Sequence, residues 1–170
     1  GIGPISLFDA SGWPVQIAGE VKRFSPESVL GPKEARRRDR CEQFAAVAAR
    51  EAISQANLID SPVDPQRVGV IVSSAIGGIN SLQDTILTAF SENPRRVSPF
   101  AIPMLMSNGA AGMIAIDYGF LGPCFSIVSA CASGIDAIGT AWMMIRSGIL
   151  DGAVTGAREA TITLTGVAAV

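Results

Sequence analysis

Phe125-Ser-Ile-Val-Ser-Ala-Cys131-Ala-Ser-Gly-Ile135 is the stretch that organises this chain. Residues 125–130 read as a short apolar strand. Residues 132–147 read as a helix, because Ile135, Ile138, Trp142 and Ile145 recur at helical spacing and make one apolar face. Cys131 falls where strand hands over to helix, among Ala130, Ala132, Ser133 and Gly134. Small neighbours let another molecule approach closely. A thiol at a helix N-terminus faces unpaired amides and the positive end of the dipole, which favours thiolate over thiol. The same amides can steady an oxyanion. This is a nucleophile elbow with sulfur as the nucleophile. A buried, space-filling cysteine is the competing reading, and the elbow alone leaves both open. Cys41, in a charged helical stretch, and Cys124, after Gly122-Pro123, lack the small-residue setting.

Composition narrows the classes. With 170 residues, 48% of them hydrophobic and 16% charged, the chain reads as one domain with a large core. A net charge of −2 gives no general case for nucleic acid, so any docking surface must be local. Three scattered cysteines make no disulfide framework, and a reactive thiol suits a reducing, cytoplasmic setting (an organellar matrix in a eukaryote). No stretch reads as a signal peptide or a membrane span.

Taken in order, residues 1–32 read as loops with a short alternating piece at 16–24. Lys33, Arg36, Arg37, Arg38 and Arg40 form a basic run, with Arg23 upstream, that leads into a helix over 41–57. Phe44, Val47, Ala48 and Ile53 are its expected inner side. Such a run is ordinarily a solvated helix start. Basic charge is unfavourable there, which raises the case for docking. Arg67–Ser73 is an apolar β-branched run that suits a strand covered on both faces of a parallel sheet. Ala75-Ile-Gly-Gly78 turns into a helix over about 80–91; it lacks the spacing of a phosphate loop and reads as a tight turn. Asn93–Pro99 is a loop with a second basic patch, Arg95 and Arg96.

Residues 102–118 have helical period, with Ser107-Asn-Gly-Ala-Ala-Gly112 as a small-residue centre. Internal glycines cost about 1 kcal/mol each against alanine, so close approach of another backbone or of a bound chain should offset them. Met104 and Met106 read first as core, though thioethers also suit an adaptable lipid pocket. Asp151–Ala157 reads as another buried strand. Strands alternating with helices predict an α/β architecture with a mainly parallel sheet and helices on both faces.

The chain holds no histidine, so no Cys–His pair can be completed within it. Three cysteines with this spacing offer no zinc ligand set, and neither metal nor cofactor is expected. A lone cysteine beside oxyanion donors can accept an acyl group by thioester exchange, but not easily supply acid–base chemistry.

The segment Ser129-Ala-Cys131-Ala-Ser-Gly134 resembles the active-site segment of the β-ketoacyl-[acyl carrier protein] synthases, the elongating type II condensing enzymes. Phe8-Asp-Ala-Ser-Gly12, Ala18-Gly-Glu-Val-Lys22, Pro32-Lys-Glu-Ala-Arg-Arg37, Ser98-Pro-Phe-Ala-Ile-Pro103, Tyr118-Gly and Gly122-Pro123 follow in that family's order. So does Gly156-Ala-Arg-Glu-Ala-Thr-Ile-Thr163, although Arg158 and Leu164 depart from the family pattern. The resemblance implies the N-terminal half of a thiolase-like fold. On that reading residues 1–170 are a partial domain, with a first strand expected before Gly1 and a C-terminal half after Val170. It implies Cys131 as acyl acceptor, Ile76, Met104, Met106 and Asn108 around the acyl pocket, and Lys33, Arg36, Arg37, Arg95 and Arg96 at the docking site for acyl carrier protein. A homodimer is implied, and catalytic histidines and a lysine are expected in the C-terminal half. Thiolases, polyketide ketosynthases, non-catalytic chain-length partners and an inactive binding piece are the rivals; the chain-length partners lack the nucleophile. A cysteine α/β-hydrolase fails for want of histidine.

Overall fold

The computed structural model describes residues 1–169. Short strands β1 (Gly3–Pro4) and β2 (Ile17–Ala18) pair antiparallel, so the alternating piece at 16–24 yields only two strand residues. Helices α1 (Glu27–Leu30), α2 (Pro32–Ala35) and α3 (Arg40–Gln55) lead to β3 (Val68–Ser73). Next come α4 (Ile79–Leu87), a π turn over Thr88–Glu92, α5 (Ala101–Leu105) and α6 (Gly109–Tyr118). Then follow β4 (Cys124–Phe125), α7 (Ser133–Arg146), β5 (Gly152–Ala157) and α8 (Leu164–Ala168).

The sheet has the order β4-β3-β5 and is parallel throughout, with Val70 opposite Cys124 on one side and Val154 on the other. All six residues of β3 are buried, as its continuous apolar run predicts. Val68, Val70 and Val72 face α3 and α6, meeting Ala45, Ala49, Ile53, Ala110, Ala111 and Ile114. Ile71 faces the other way, onto Ala137 and Ala141 of α7. Helices therefore cover both faces. Among the described residues no helix is long and apolar enough to cross a membrane.

Five local expectations are corrected. The strand expected over 125–130 ends at Phe125, and residues 126–129 form an irregular link into a 3-10 turn at Ala130–Ala132. The helix expected over 102–118 is broken: Met106 is extended (ψ 133°), and α6 begins only at Gly109. The break lies where the turn after β3 docks, since Gly78 N donates to Leu105 O at 3.1 Å and a Cβ on Gly77 or Gly78 would overlap the carbonyls of Leu105 and Met104. In α3 the inner side is Ala45, Ala46, Ala49 and Ile53, whereas Ala48 is exposed and Phe44 and Val47 are half-buried. In α7 the large apolar residues Ile135, Ile138, Trp142 and Ile145 are exposed, and the small ones face the sheet. Close packing explains that inversion, because a Cβ on Gly134 would lie 3.0 Å from Ala157 Cβ. β5, expected to be buried, is a half-buried edge with Val154 alone in the core.

Candidate active site

The turn into α7 presents Cys131. Ser129 has φ −134° and ψ 44°, and Ala130 is left-handed at φ 52°, a conformation that costs a non-glycine residue about 1 kcal/mol or more. Local bonds hold it. The Ser133 hydroxyl, 3% exposed, accepts from Ser129 N at 3.0 Å and donates to Ala130 O at 2.7 Å. Ser129 Oγ donates to the Asp136 carboxylate. Ile127 N donates to Ser73 Oγ at 3.0 Å, tying the link to the end of β3. The result leaves the Cys131 side chain exposed at the leading turn of a fourteen-residue helix.

The other thiols differ. Cys41 is fully buried, and burial, with Asp39 second, pushes its thiol well above the ordinary value. Cys124 is exposed on β4, and partial desolvation raises it.

The structure brings the Ile76 turn against the 104–108 segment. Ser74 Oγ accepts from Gly77 N at 2.7 Å and donates to Glu159 at 2.8 Å; Glu159 also accepts from Ala75 N. Ile76 and Met106 are half exposed, and Asn108 is exposed beside them. Met104, half-buried, also lines a cavity of about 240 Å³ with Arg36, Ser81, Asp84, Thr85, Thr88, Arg96 and Ser98.

That cavity joins the two basic patches. Arg36 and Arg96 share its wall, with Lys33 and Arg95 exposed nearby in sequence. Arg37 stacks on the Phe100 ring at 4.8 Å and bonds Glu34 at 3.3 Å, while Arg96 pairs with Glu92. Arg38 does not belong to a solvated run: it is 3% exposed and holds Asp117 through two 2.8 Å bonds.

Sequence reasoning missed a buried charged cluster at the start of α3. Asp39 caps the helix, with Glu42 bonding back to Asp39 N at 3.0 Å in a capping box. Asp39 also accepts from Ser81 N at 2.8 Å and Ser81 Oγ at 2.7 Å. The Asp-x-x-Glu spacing before an apolar helix was the signal for it. Burial pushes the Glu42 carboxyl up to about 7, against the Asp39 backbone N–H bond, which favours the carboxylate. Arg158 acts on Glu42 and Cys41 electrostatically, yet its three guanidinium nitrogens have no hydrogen-bond partner among the described residues. Among the described residues no group of three or more side chains forms a metal site.

Comparison with known proteins shows the family and the fold. The family described as beta-ketoacyl synthase, N-terminal domain, matches residues 2–170. A 3-oxoacyl-[acyl-carrier-protein] synthase 2 from Synechocystis sp. is 40% identical over 163 residues, which is 96% of this chain and 39% of that relative. The Staphylococcus aureus protein of the same name is 42% identical over 163 residues, covering 96% of this chain and 40% of its own length. Among solved structures, a type II PKS acyl-carrier protein in complex with its ketosynthase aligns with TM-score 0.80 at 22% identity, over 86% of this chain and 42% of that one, which shows a shared fold. The sheet with helices on both faces is thus the N-terminal half of the thiolase-like fold, and this chain belongs to the beta-ketoacyl synthase family.

Proposed function

We propose that this chain supplies the nucleophile half of a 3-oxoacyl-[acyl carrier protein] synthase, which elongates fatty acyl chains by decarboxylative condensation. The observation that carries this reading is the exposed Cys131 at the leading turn of α7, in a chain about 40% identical to proteins so named. Cys131 Sγ attacks the thioester carbonyl of an acyl carrier; the oxyanion forms beside the leading amides of α7, and the carrier thiol leaves with the cysteine proton. Malonyl carrier then loses CO2. The resulting enolate carbon attacks the Cys131 thioester, forming the carbon–carbon bond and releasing the thiolate, which regains a proton. These residues hold no histidine, so the groups that promote decarboxylation are assigned to histidines and a lysine outside residues 1–170.

Acyl carrier protein is the proposed partner, met by Lys33, Arg36, Arg37, Arg95 and Arg96, and the proposed assembly is a cytoplasmic homodimer. Ile76, Met104, Met106 and Asn108 are proposed around the acyl chain. The full-length protein, incubated with an acyl carrier and digested, should carry one acyl mass on the peptide containing Cys131. The C131A variant should carry none. Acyl groups on Cys124, or on no cysteine, would overturn the assignment.

A further inference from the structure

We propose that Glu42, backed by Asp39 and Arg158, is a positioning residue that sets the depth of the acyl pocket. This rests on the reading of Ile76, Met106 and Asn108 as pocket residues. Glu42 lies directly under the first residue of α6: a Cβ on Gly109 would overlap its Oε1 and come within 2.8 Å of Pro103 O. That oxygen has no hydrogen-bond partner among the described residues, while Oε2 is held by Asp39 N. Asp39 in turn grips Ser81 at the start of α4, and a Cβ on Gly78 would lie 3.0 Å from its Cγ. The two carboxyls therefore brace the elements whose leading loops carry Ile76 on one side and Met106 and Asn108 on the other.

An ionisable group is an expensive brace, since an apolar side chain packs there without desolvation penalty. Arg158, in the segment after β5 and 6% exposed, makes no hydrogen bond among the described residues and supplies counter-charge to Glu42 through the field rather than through an ion pair. The remaining charges facing Glu42 are Asp39 and Arg38, and Arg38 is itself held by Asp117 of α6. Ionised Glu42 is drawn to Arg158 and fixes the 106–108 break. Protonated Glu42 loses that hold and lets the start of α6 shift.

The test uses full-length enzyme and acyl carriers of increasing chain length. In the wild type, the KM ratio of longest to shortest chain should rise about tenfold as pH falls through about 7, with kcat for the shortest chain changing less. E42Q should show the low-pH ratio at every pH. R158A should follow it, and R158K should restore the wild-type profile. A ratio that is flat with pH in the wild type overturns the proposal without any variant. Equal loss of kcat at all lengths, or a lowered melting temperature with an unchanged ratio, overturns it as well. If the wild type condenses no acyl chain, the functional reading fails separately. Amide exchange over residues 106–110 then decides: a step near pH 7 that is absent in E42Q supports the brace, and no step overturns it.

Discussion

Three thiols in three environments should react at three rates. Cys131 is exposed at the turn, Cys124 is exposed but raised by desolvation on β4, and Cys41 is sealed in the core with its thiol pushed high. Thiolate is the reacting form, so alkylation follows access and ionisation together. Timed iodoacetamide labelling with peptide mass analysis should modify Cys131 first, Cys124 more slowly, and Cys41 only on unfolding. Equal rates at Cys131 and Cys124 would show that the turn into α7 gives Cys131 no advantage in reactivity. The setting of Cys131 was legible because its small neighbours are local. The capping box of Asp39 and Glu42 was legible in principle, being a spacing. The burial of Arg38 and Arg158 was not, since Asp117, which holds Arg38, lies 79 residues away, and Arg158 meets the charges at the start of α3 only once the chain has folded.

Among the elements, periodicity found α7 but chose the wrong face. Large apolar residues dominate a period count, whereas contact distance decides which side meets a sheet. Ala137 and Ala141 reach Ile71 because they are small, and Gly134 lets the helix sit on β5. The same distinction separates the glycines of α6. Gly109 is required, because a methyl would meet Glu42 and the Pro103 carbonyl. Gly112 has nothing within 4 Å of an added Cβ, so the close approach expected for it does not occur among the described residues. G109A should therefore lower stability by about 1–3 kcal/mol through overpacking. G112A should raise it by up to about 1 kcal/mol through helix propensity. Urea midpoints of the two variants beside the wild type measure this, and a reversed order would show that the break at 106–108 relaxes freely.

For the whole molecule, the docking reading depends on charge placed against the average. Net charge is −2, so long-range attraction to an acidic carrier has to come from one region rather than from the surface at large. Folding supplies it by bringing Arg36, ahead of α3, and Arg96, beyond α4, to one cavity wall, with Lys33 and Arg95 exposed. Sequence showed two separate patches; their convergence needed the packing of the Gly77-Gly78 turn on α5. Not every charge there is free to bind. Arg37 is engaged by Phe100 and Glu34, and Arg96 by Glu92, so Lys33, Arg36 and Arg95 should carry more of the attraction. Reversing Lys33 and Arg36 to glutamate should weaken binding of acyl carrier protein by about tenfold at low salt, chiefly through the association rate. The difference should shrink as ionic strength rises and the Debye length falls to about 8 Å. Lys22, already paired with Glu20 at 3.7 Å and outside that cavity, provides the control, and K22E should bind as the wild type does. Equal affinity of the double reversal and K22E at low salt would return Lys33 and Arg36 to an ordinary solvated surface.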